Sequence, residues 1–311
     1  MSDVDVEPNE GAGAPGVVGF IGLGIMGKPM ARNLWNAGFE LVVHSRSPGP
    51  VDELVQAGAR RASSPAEVAA ASDTLITMLP DTPDVELVLF GPDGAATALR
   101  PGSLAIDMST INPLATRDIG ERLAANGVAF LDAPVSGGEK GAVEATLSIM
   151  VGGAAGDVER AMSLFRALGK TIVHVGDSGA GQVAKACNQL VVASTIEAVA
   201  EALTLARRAG VDAGRVREAL LGGFAGSKIL EIHGQRMLDA NFQPGFRVRL
   251  HLKDARIVLD TAHGLGVPVP AFAPVADALQ RLVDEGGGEL DHSALVTLLE
   301  RGAEAGDGTA T

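Results

Sequence analysis

The sequence predicts an α/β protein in which a mostly parallel sheet is followed by one long helix and an all-helical C-terminal domain. Short β-branched runs alternate with helical patterns from Val17 to about Val175, and strand signals then stop. Strands that alternate with helices indicate βαβ units and hence a parallel sheet. The run from Gln182 to Ala209 has no glycine or proline and is long enough for a helix of about 42 Å.

The elements of the N-terminal half follow from apolar runs and the residues that interrupt them. Val17–Ile21 is a predicted strand, and the helix after it, Met26–Ala37, is closed by Gly38. Further strands are predicted at Leu41–Val43, Thr74–Met78, Ser103–Ile106, Val128–Leu131, Leu147–Val151 and Thr171–Val175. Helices are predicted between them at Val51–Ala57, Asp84–Phe90, Pro113–Asn126 and Asp157–Leu168.

The C-terminal half shows helical patterns only. They lie at Ala213–Leu221, Ser227–Leu238, Val248–Leu265, Ala273–Asp284 and Ser293–Arg301. We therefore expect an α/β domain over residues 16–178 and an interdomain helix with a helical domain over residues 179–301. Residues 1–15, which are acidic and carry glycine and proline, and residues 302–311 are expected to be disordered tails.

Composition excludes several classes of protein. The net charge of −13, without a cluster of lysine and arginine, argues against nucleic-acid binding because such a surface repels phosphates. Cys187 is the only cysteine, so no intramolecular disulfide can form. Residues 1–15 lack the apolar core of a signal peptide, and glycines or prolines interrupt the apolar stretches at residues 11–27 and 261–276. We expect a cytoplasmic protein that spans no membrane. The six histidines show no HxxxH or HExxH spacing, so no metal site is expected.

A glycine motif lies where the first strand meets the first helix. Its residues are Gly22, Leu23, Gly24, Ile25, Met26 and Gly27. In this context GxGxxG allows a tight turn and close approach of the backbone to a pyrophosphate, which then lies at the positive N-terminus of the helix. The motif predicts a Rossmann-type dinucleotide site. The alternative is an ordinary strand–helix turn.

The end of the second strand is where such a domain usually binds the adenosine ribose. An acid there favours NAD(H), but this chain has Ser45, Arg46 and Ser47. Arg46 is suited to bind a 2′-phosphate, with the two serines as hydroxyl donors. The segment favours NADP(H), with NAD(H) possible, unless Arg46 is only a solvated loop residue.

Three further segments follow predicted strands and are candidates to line the same cleft. Met78, Leu79 and Pro80 form one, and Met108–Asn112, which includes Thr110, forms the second. Ligands bind beyond the carboxyl ends of parallel strands, so both segments are expected to contact the nicotinamide and its ribose. In the third, Ser136, Gly137 and Gly138 offer a hydroxyl and unshielded backbone N–H groups, which suit a carboxylate. Each of the three is a mere turn in the alternative interpretation.

The long helix carries a polar stripe near its start. Gln182, Lys185, Asn188 and Gln189 share one side of an otherwise apolar segment, so the stripe faces either solvent or a cleft. A lysine near a helix N-terminus in apolar surroundings is expected to have a depressed pKa, which suits proton transfer near neutral pH. A solvated lysine on an exposed face is the alternative. The pair Lys253 and Asp254 is, by spacing alone, part of a charged helix face.

Together these segments resemble the β-hydroxyacid dehydrogenase family, which includes 3-hydroxyisobutyrate dehydrogenases. The matching motifs are Phe20–Leu34, Asp132–Gly138, Gly179–Asn188 and Lys253–Asp254. The resemblance implies that Lys185 is the general acid and that Asn188 orients it or the substrate. It also implies that Ser136, Gly137 and Gly138 hold a carboxylate and that Thr110 and Lys253 contact the cofactor. This chain departs from the family pattern in having Ala145 for a glycine and Ser45–Arg46 for an acid.

The resemblance implies an oxidoreductase that reduces a small 3-oxo acid. The C-terminal half is most similar to family members that reduce tartronate semialdehyde to glycerate, with substrate choice expected near Phe246 and Arg247. Oxidation of 3-hydroxyisobutyrate or another 3-hydroxy acid is the nearest alternative. Imine reduction and non-catalytic dinucleotide binding are more remote, because Lys185 and Asn188 are both present. The long apolar helix and the helical domain suggest a homodimer or homotetramer.

Overall fold

A computed structural model describes residues 16–307, without the side chains of residues 302–307. The predicted tail of residues 1–15 lies outside the described residues. The fold class is confirmed, since the described chain forms a mostly parallel sheet followed by helices. The strands are β1 Val18–Ile21, β2 Leu41–His44, β3 Arg60–Arg61, β4 Thr74–Thr77, β5 Leu104–Asp107, β6 Ala129–Asp132, β7 Val135–Ser136, β8 Leu147–Gly152 and β9 Gly169–Gly176.

The strand order places a crevice beside the first strand. The sheet runs β3-β2-β1-β4-β5-β6-β8-β7, with β9 also paired to β8. Strands β1 to β6 are parallel, whereas β8 is antiparallel to β6 and β7. The chain builds outward from β1 to β3 and then crosses to β4 on the other side. Such a reversal opens the sheet to ligands at the carboxyl ends of β1 and β4.

The helices lie on both sides of the sheet and then form the C-terminal part alone. They are α1 Gly27–Asn36, α2 Pro48–Gln56, α3 Pro65–Ala70, α4 Thr82–Phe90, α5 Pro113–Ala124, α6 Gly138–Val143, α7 Ala155–Leu168, α8 Ala180–Arg208, α9 Ala213–Leu221, α10 Lys228–Leu238, α11 Val248–Gly264, α12 Ala273–Asp284 and α13 Val296–Asp307. Helices α2 to α5 each carry a proline in the first turn, where its missing N–H leaves no bond unmade.

The differences from the predicted elements concern short segments and helix ends. Strands β3 and β7 have two residues each, and helices α3 and α6 have six, so none is long enough for a periodic pattern. The predicted helix Ser293–Arg301 is observed as the 3₁₀ turn His292–Leu295 followed by α13, which runs to Asp307. One glycine, Gly302, does not end a helix among good helix formers. Residues 308–311 lie outside the described part of the chain.

Three apolar clusters hold the layers together, in keeping with a chain poor in aromatic residues. One side of the sheet packs residues such as Phe20 and Leu34, and the other packs residues such as Val68 and Leu75. The third cluster joins α8 to the later helices around Ile196. Helix α8 is long and apolar enough to cross a membrane by length and composition alone, and 39% of its apolar stretch is buried. Its buried apolar residues pack into this third cluster, as those of a core helix do.

Ala145 is expected to be a strained position that glycine relieves. Its φ of +53° lies in the left-handed region, which costs a residue with a Cβ roughly 1–2 kcal/mol. Ala145→Gly should raise the free energy of unfolding by up to about 1 kcal/mol, after the greater entropy of glycine in the unfolded chain is counted. Urea denaturation measures the change. Ala219→Gly, within α9, is the matched control and should lower the same quantity, and a loss of stability at both positions would contradict the assignment of strain.

Candidate active site

The glycine loop lies at the crevice between β1 and β4, and each of its three glycines is required for a different structural reason. Gly22 has φ +100°, and a Cβ there would lie 2.3 Å from the carbonyl oxygen of Met78. A Cβ on Gly27 would lie 1.8 Å from the carbonyl oxygen of Gly22. Gly24 has no atom within 4 Å of that position, so its backbone borders open space. The outer glycines close the turn, and the middle one leaves room for a phosphate at the start of α1.

The segment after β2 lies beside this loop. The backbone N–H of Leu23 donates to Ser45 Oγ at 3.4 Å, which joins the two loops directly. The Arg46 side chain is 81% exposed, and its Nη1 lies 3.5 Å from Asp84 Oδ1 of α4. Arg46 is therefore available to an incoming phosphate, although a carboxylate already faces it. Ser47 precedes α2, and its hydroxyl caps no N–H of that helix.

A buried carboxylate at the end of β5 supports the loops after β4 and β5. Asp107 Oδ1 accepts from Thr77 Oγ1 at 2.7 Å and from Ser109 Oγ at 2.6 Å. Ser109 Oγ in turn accepts from the N–H of Leu79 at 2.9 Å, so the predicted cofactor segment Met78–Pro80 rests on Asp107. Burial raises the pKa of Asp107 to about 6, although the bonds from Ser109 and Thr77 oppose the rise. Sequence reasoning missed this residue.

Helix α8 is capped by a residue from a different element. The carboxylate of Asp132, at the end of β6, accepts from the N–H of Gly179 at 2.7 Å and from that of Gln182 at 2.8 Å. The Gln182 side chain bonds the next loop, since its Nε2 donates to the Ser109 carbonyl at 2.8 Å and its Oε1 accepts from the N–H of Ile111 at 3.2 Å. The start of α8 is thus hydrogen-bonded to the end of β6 and to the loop after β5.

Lys185 lies one turn into α8 and is buried, with 7% of its surface exposed. Its Nζ donates to the Val135 carbonyl oxygen at 2.8 Å, directly before the Ser136–Gly138 segment. Burial lowers the pKa of Lys185 to about 8, while Asp254 raises it and Lys253 lowers it further. The polar stripe therefore faces the protein interior at this residue and not solvent. Near pH 8 such an amine gains and loses a proton readily.

The segment beside Lys185 needs its glycines. Gly137 has φ +134° and Gly138 has φ +61°, and residues with a Cβ rarely adopt such positive values. A Cβ on Gly138 would meet nothing within 4 Å, so its backbone borders open space. Ser136 pairs with Ser148 in the β7–β8 ladder and is half-buried.

Helix α11 closes the site from the C-terminal side. Lys253 Nζ donates to the Thr110 carbonyl at 2.6 Å and lies 2.7 Å from Asp254 Oδ1. Gln189 Nε2 donates to Asp254 Oδ2, and Asn188 Nδ2 donates to Gln189 Oε1 at 2.8 Å. The predicted stripe and the Lys253–Asp254 pair therefore meet in one hydrogen-bonded group. A cavity of about 440 Å³ between α11 and the starts of α4 and α5 also has Lys253 in its wall, but neither Lys185 nor the glycine loop lines it.

The structure shows two groups of side chains in the helical part that the sequence patterns did not indicate. Arg247 forms an ion pair with Glu289, with Nε and Oε2 2.9 Å apart. His233, Asp291 and His292 bring their ligand atoms within 4.8 Å of one another, which histidine spacing did not indicate because they come from separate segments. Asp291 already accepts from four protein donors: the backbone N–H groups of Gly245, Phe246 and Ser293, and the Ser293 hydroxyl.

The glycine loop at the crevice of a parallel sheet, together with the buried lysine near the start of α8, is the arrangement of an oxidoreductase that uses a nicotinamide dinucleotide and acts on CH–OH groups. Residues 17–176 match the NAD binding domain of 6-phosphogluconate dehydrogenase, and residues 179–299 match the NAD-binding domain of NADP-dependent 3-hydroxyisobutyrate dehydrogenase. The chain belongs to the 3-hydroxyisobutyrate dehydrogenase-like family of β-hydroxyacid dehydrogenases, which confirms the resemblance of its motifs.

Individual relatives cover almost the whole chain. A 2-hydroxy-3-oxopropionate reductase of Escherichia coli (strain K12) is 50% identical over 91% of this chain and 97% of its own. Mitochondrial 3-hydroxyisobutyrate dehydrogenase of Mus musculus is 34% identical over 91% and 86%, respectively. The structure of Mycobacterium tuberculosis 3-hydroxyisobutyrate dehydrogenase with L-serine superposes with a TM-score of 0.85 at 33% identity, covering 92% of this chain and 99% of that one.

Asp107→Asn is expected to change how stability depends on pH. The folded-state pKa of about 6 lies above the ordinary 3.8, so the folded state holds the proton more tightly. This stabilisation is complete below about pH 4 and is lost as pH rises through 6, by roughly 3 kcal/mol for two pKa units. The asparagine does not titrate, so it should gain stability relative to the wild type between pH 4 and pH 7.

Urea denaturation at both pH values tests this expectation. Asp73→Asn serves as the control, because the Asp73 side chain is 62% exposed. A difference between wild type and Asp107→Asn that is the same at pH 4 and pH 7 would show that Asp107 is not a costly buried charge.

Proposed function

We propose that the chain reduces 2-hydroxy-3-oxopropanoate, or tartronate semialdehyde, to glycerate with NADPH. The observation that carries the proposal is the buried Lys185, whose Nζ bonds the Val135 carbonyl at 2.8 Å beside the Ser136–Gly138 segment. The name of the Escherichia coli relative states this substrate, and that protein is 50% identical to this chain. Residues 16–178 serve as the dinucleotide-binding domain in this proposal, and residues 179–301 supply the interdomain helix and the helical domain.

The cofactor residues follow from the crevice between β1 and β4. The six residues Gly22–Gly27 hold the pyrophosphate at the start of α1, where the backbone N–H groups and the helix dipole favour an anion. The segment Met78–Pro80, Thr110 and Lys253 surrounds the nicotinamide end. When bound, the nicotinamide supplies a hydride to the aldehyde carbon of the substrate.

The protein's own groups bind the substrate and move the proton. The Ser136 hydroxyl and the N–H groups of Gly137 and Gly138 bind the substrate carboxylate. The Lys185 ammonium donates a proton to the alkoxide that develops at the aldehyde oxygen, and Asn188 orients the two. Because that charge develops only in the transition state, the ammonium acts mainly on kcat.

Oxidation of a 3-hydroxy acid such as 3-hydroxyisobutyrate is the second candidate function. The pKa of about 8 supports it, because the same amine can accept a proton from a hydroxyl in the reverse direction. The relative from Mus musculus bears the name of that activity.

The cellular compartment and the oligomeric state of the enzyme are also part of the proposal. We place it in the cytoplasm as a homodimer or homotetramer. Val191, Leu205 and Val211 are 60%, 72% and 50% exposed along α8 and the turn after it, and a second copy would cover such apolar side chains.

Lys185→Ala should lose catalysis and keep cofactor binding. One positioned acid contributes about 10²–10⁴-fold, so kcat with tartronate semialdehyde should fall at least 10²-fold. Initial rates of NADPH oxidation measure kcat, and quenching of Trp35 fluorescence or calorimetry measures the Kd of NADPH. Lys170→Ala, at an exposed lysine, is the control and should behave as wild type. Near-normal kcat in the Lys185 variant would exclude Lys185 as the acid.

Arg46→Asp should reverse the cofactor preference. If the guanidinium binds the 2′-phosphate, the variant should raise the KM for NADPH by about tenfold or more and leave NADH unaffected or improved, since a charged pair contributes roughly 1.5–3 kcal/mol. Arg166→Asp makes the same charge change at an exposed position of α7 and controls for long-range repulsion. The ratio of kcat/KM for the two cofactors is measured. A ratio that Arg46→Asp leaves unchanged would return Arg46 to the role of a solvated loop residue.

A further inference from the structure

An ion pair joins the two sides of the dinucleotide crevice. Arg46 lies two residues beyond the end of β2, and Asp84 lies in the first turn of α4, the helix that follows β4. Their Nη1 and Oδ1 atoms are 3.5 Å apart. Strand β1 lies between β2 and β4 in the sheet, and the glycine loop continues from its end. The pair therefore connects the segments on either side of the proposed cofactor site.

The Asp84 carboxylate is available to a ligand, whereas other acids near the crevice already have partners. Asp81 accepts from the next backbone N–H at 2.7 Å and so caps α4. Glu53 of α2 lies 3.0 Å from the Lys28 ammonium. Of the described residues, Arg46 is the one that pairs with the Asp84 carboxylate, and the Asp84 side chain is 27% exposed. An incoming ligand can therefore reach this carboxylate without breaking a helix cap.

The pair lies beside the expected position of the adenosine ribose. In a dinucleotide-binding sheet, the acid that contacts the ribose 2′-OH usually lies at the end of the second strand. Here that segment contains Ser45 and Arg46, and Ser45 Oγ accepts from the N–H of Leu23. Because Asp84 Oδ1 is 3.5 Å from the guanidinium of Arg46, its carboxylate is within reach of the same ribose. Helix α4 therefore presents the acid that β2 lacks.

The two charges have opposite effects on the two cofactors. A carboxylate accepts hydrogen bonds from ribose hydroxyls, which NADH presents at both the 2′ and the 3′ position. NADPH carries a 2′-phosphate, which Arg46 attracts and Asp84 repels. Asp84 thus reduces the advantage that Arg46 gives to NADPH, since specificity depends on repulsive as well as attractive contacts.

We propose that Asp84 is a specificity-determining residue, which binds the ribose hydroxyls of NADH from α4 and opposes the 2′-phosphate of NADPH. Arg46 and Asp84 together then set a moderate preference for NADPH, and the site admits both cofactors. The proposal rests on the proposed function in placing the adenosine ribose beside Arg46, and it does not depend on which hydroxy acid reacts.

Asp84→Asn should strengthen NADPH binding and weaken NADH binding. Removal of one unit charge a few ångströms from a partly exposed phosphate should lower the Kd of NADPH roughly three- to tenfold. The Kd of NADH should rise roughly two- to fivefold, because a neutral amide is a weaker acceptor than a carboxylate. Calorimetry or quenching of Trp35 fluorescence measures both constants without substrate. Asp84→Glu keeps the charge and should stay closer to the wild type than to Asp84→Asn.

Asp157→Asn is the matched control. Asp157 also lies in the first turn of a helix, α7, is 23% exposed and lies 2.7 Å from Arg160. Arg160 donates to the carbonyl of Gly102, which precedes β5, so this pair is at the opposite edge of the sheet from the crevice. The control should leave the ratio of the two Kd values as in the wild type. A ratio that Asp84→Asn leaves unchanged, or an equal weakening of both cofactors, overturns the proposal.

Combination with Arg46→Ala shows whether the carboxylate acts on the cofactor itself. In the Arg46→Ala background, Asp84→Asn should still raise the Kd of NADH, because the ribose hydroxyls remain the target of Asp84. If the effect disappears in that background, Asp84 only holds the arginine, and the proposal is wrong.

Failure of this proposal and failure of the proposed function give different results. If Asp84→Asn changes the ratio of the two Kd values but tartronate semialdehyde is not turned over, Asp84 keeps its role and the substrate is rejected. If Arg46→Asp reverses the cofactor preference and Asp84→Asn has no effect, the assignment of Arg46 stands and that of Asp84 is rejected.

Discussion

The carboxylate of Asp132 is the contact on which the rest of the site depends. It lies at the end of β6 and accepts the N–H groups of Gly179 and Gln182, so it caps a helix that has no side-chain cap of its own. Burial raises the pKa of Asp132, and the backbone N–H groups oppose that rise, as expected for a buried anion held at a helix N-terminus. Asp132 also begins the segment that leads to Ser136. One side chain therefore fixes the start of the helix that carries Lys185, the proposed general acid. The same residue begins the segment that leads to the proposed carboxylate site.

The close packing around that cap explains why the start of α8 cannot shift. A Cβ on Gly181 would lie 2.4 Å from the Met150 carbonyl oxygen, and one on Gly152 would lie 2.5 Å from Asp132 Oδ1. The helix backbone thus contacts strand backbone directly. Given this fixed start, Lys185 reaches the Val135 carbonyl within one turn. Its ammonium loses solvent there, which is what lowers its pKa towards the range useful for proton transfer.

Sequence reasoning succeeded where the chemistry is local. The glycine loop and the long helix were predicted because each is a continuous run whose spacing has a direct physical meaning. Asp107 and Asp132 were not recognised as supports, because their partners lie on elements up to 50 residues away in the chain for Asp132 and 30 for Asp107. The close contact between the His251 and His292 rings was missed for the same reason, since the two residues are 41 positions apart in the sequence. The polar stripe of α8 is an intermediate case. Its spacing is visible in the sequence, but only the packing of the folded protein shows that it faces the interior.

Several residues that break local rules lie at the proposed site, as is typical of a catalytic site. Lys185, Asp254 and His251 are ionisable groups almost without exposure, and all lie where α8 meets α11. Asp107, which has one carboxylate oxygen without a partner, lies at the end of β5 and supports the loop that carries Met78–Pro80. Burying these groups costs stability, and a core of aliphatic residues alone would avoid that cost. Asp254 reduces it by facing three positive or polar neighbours at once: it lies 2.7 Å from Lys253 Nζ, accepts from Gln189, and raises the pKa of Lys185. A single carboxylate on α11 therefore favours the protonated form of Lys185 that the proposed acid requires, while burial in the surrounding core lowers the pKa of Lys185 and so favours release of the proton.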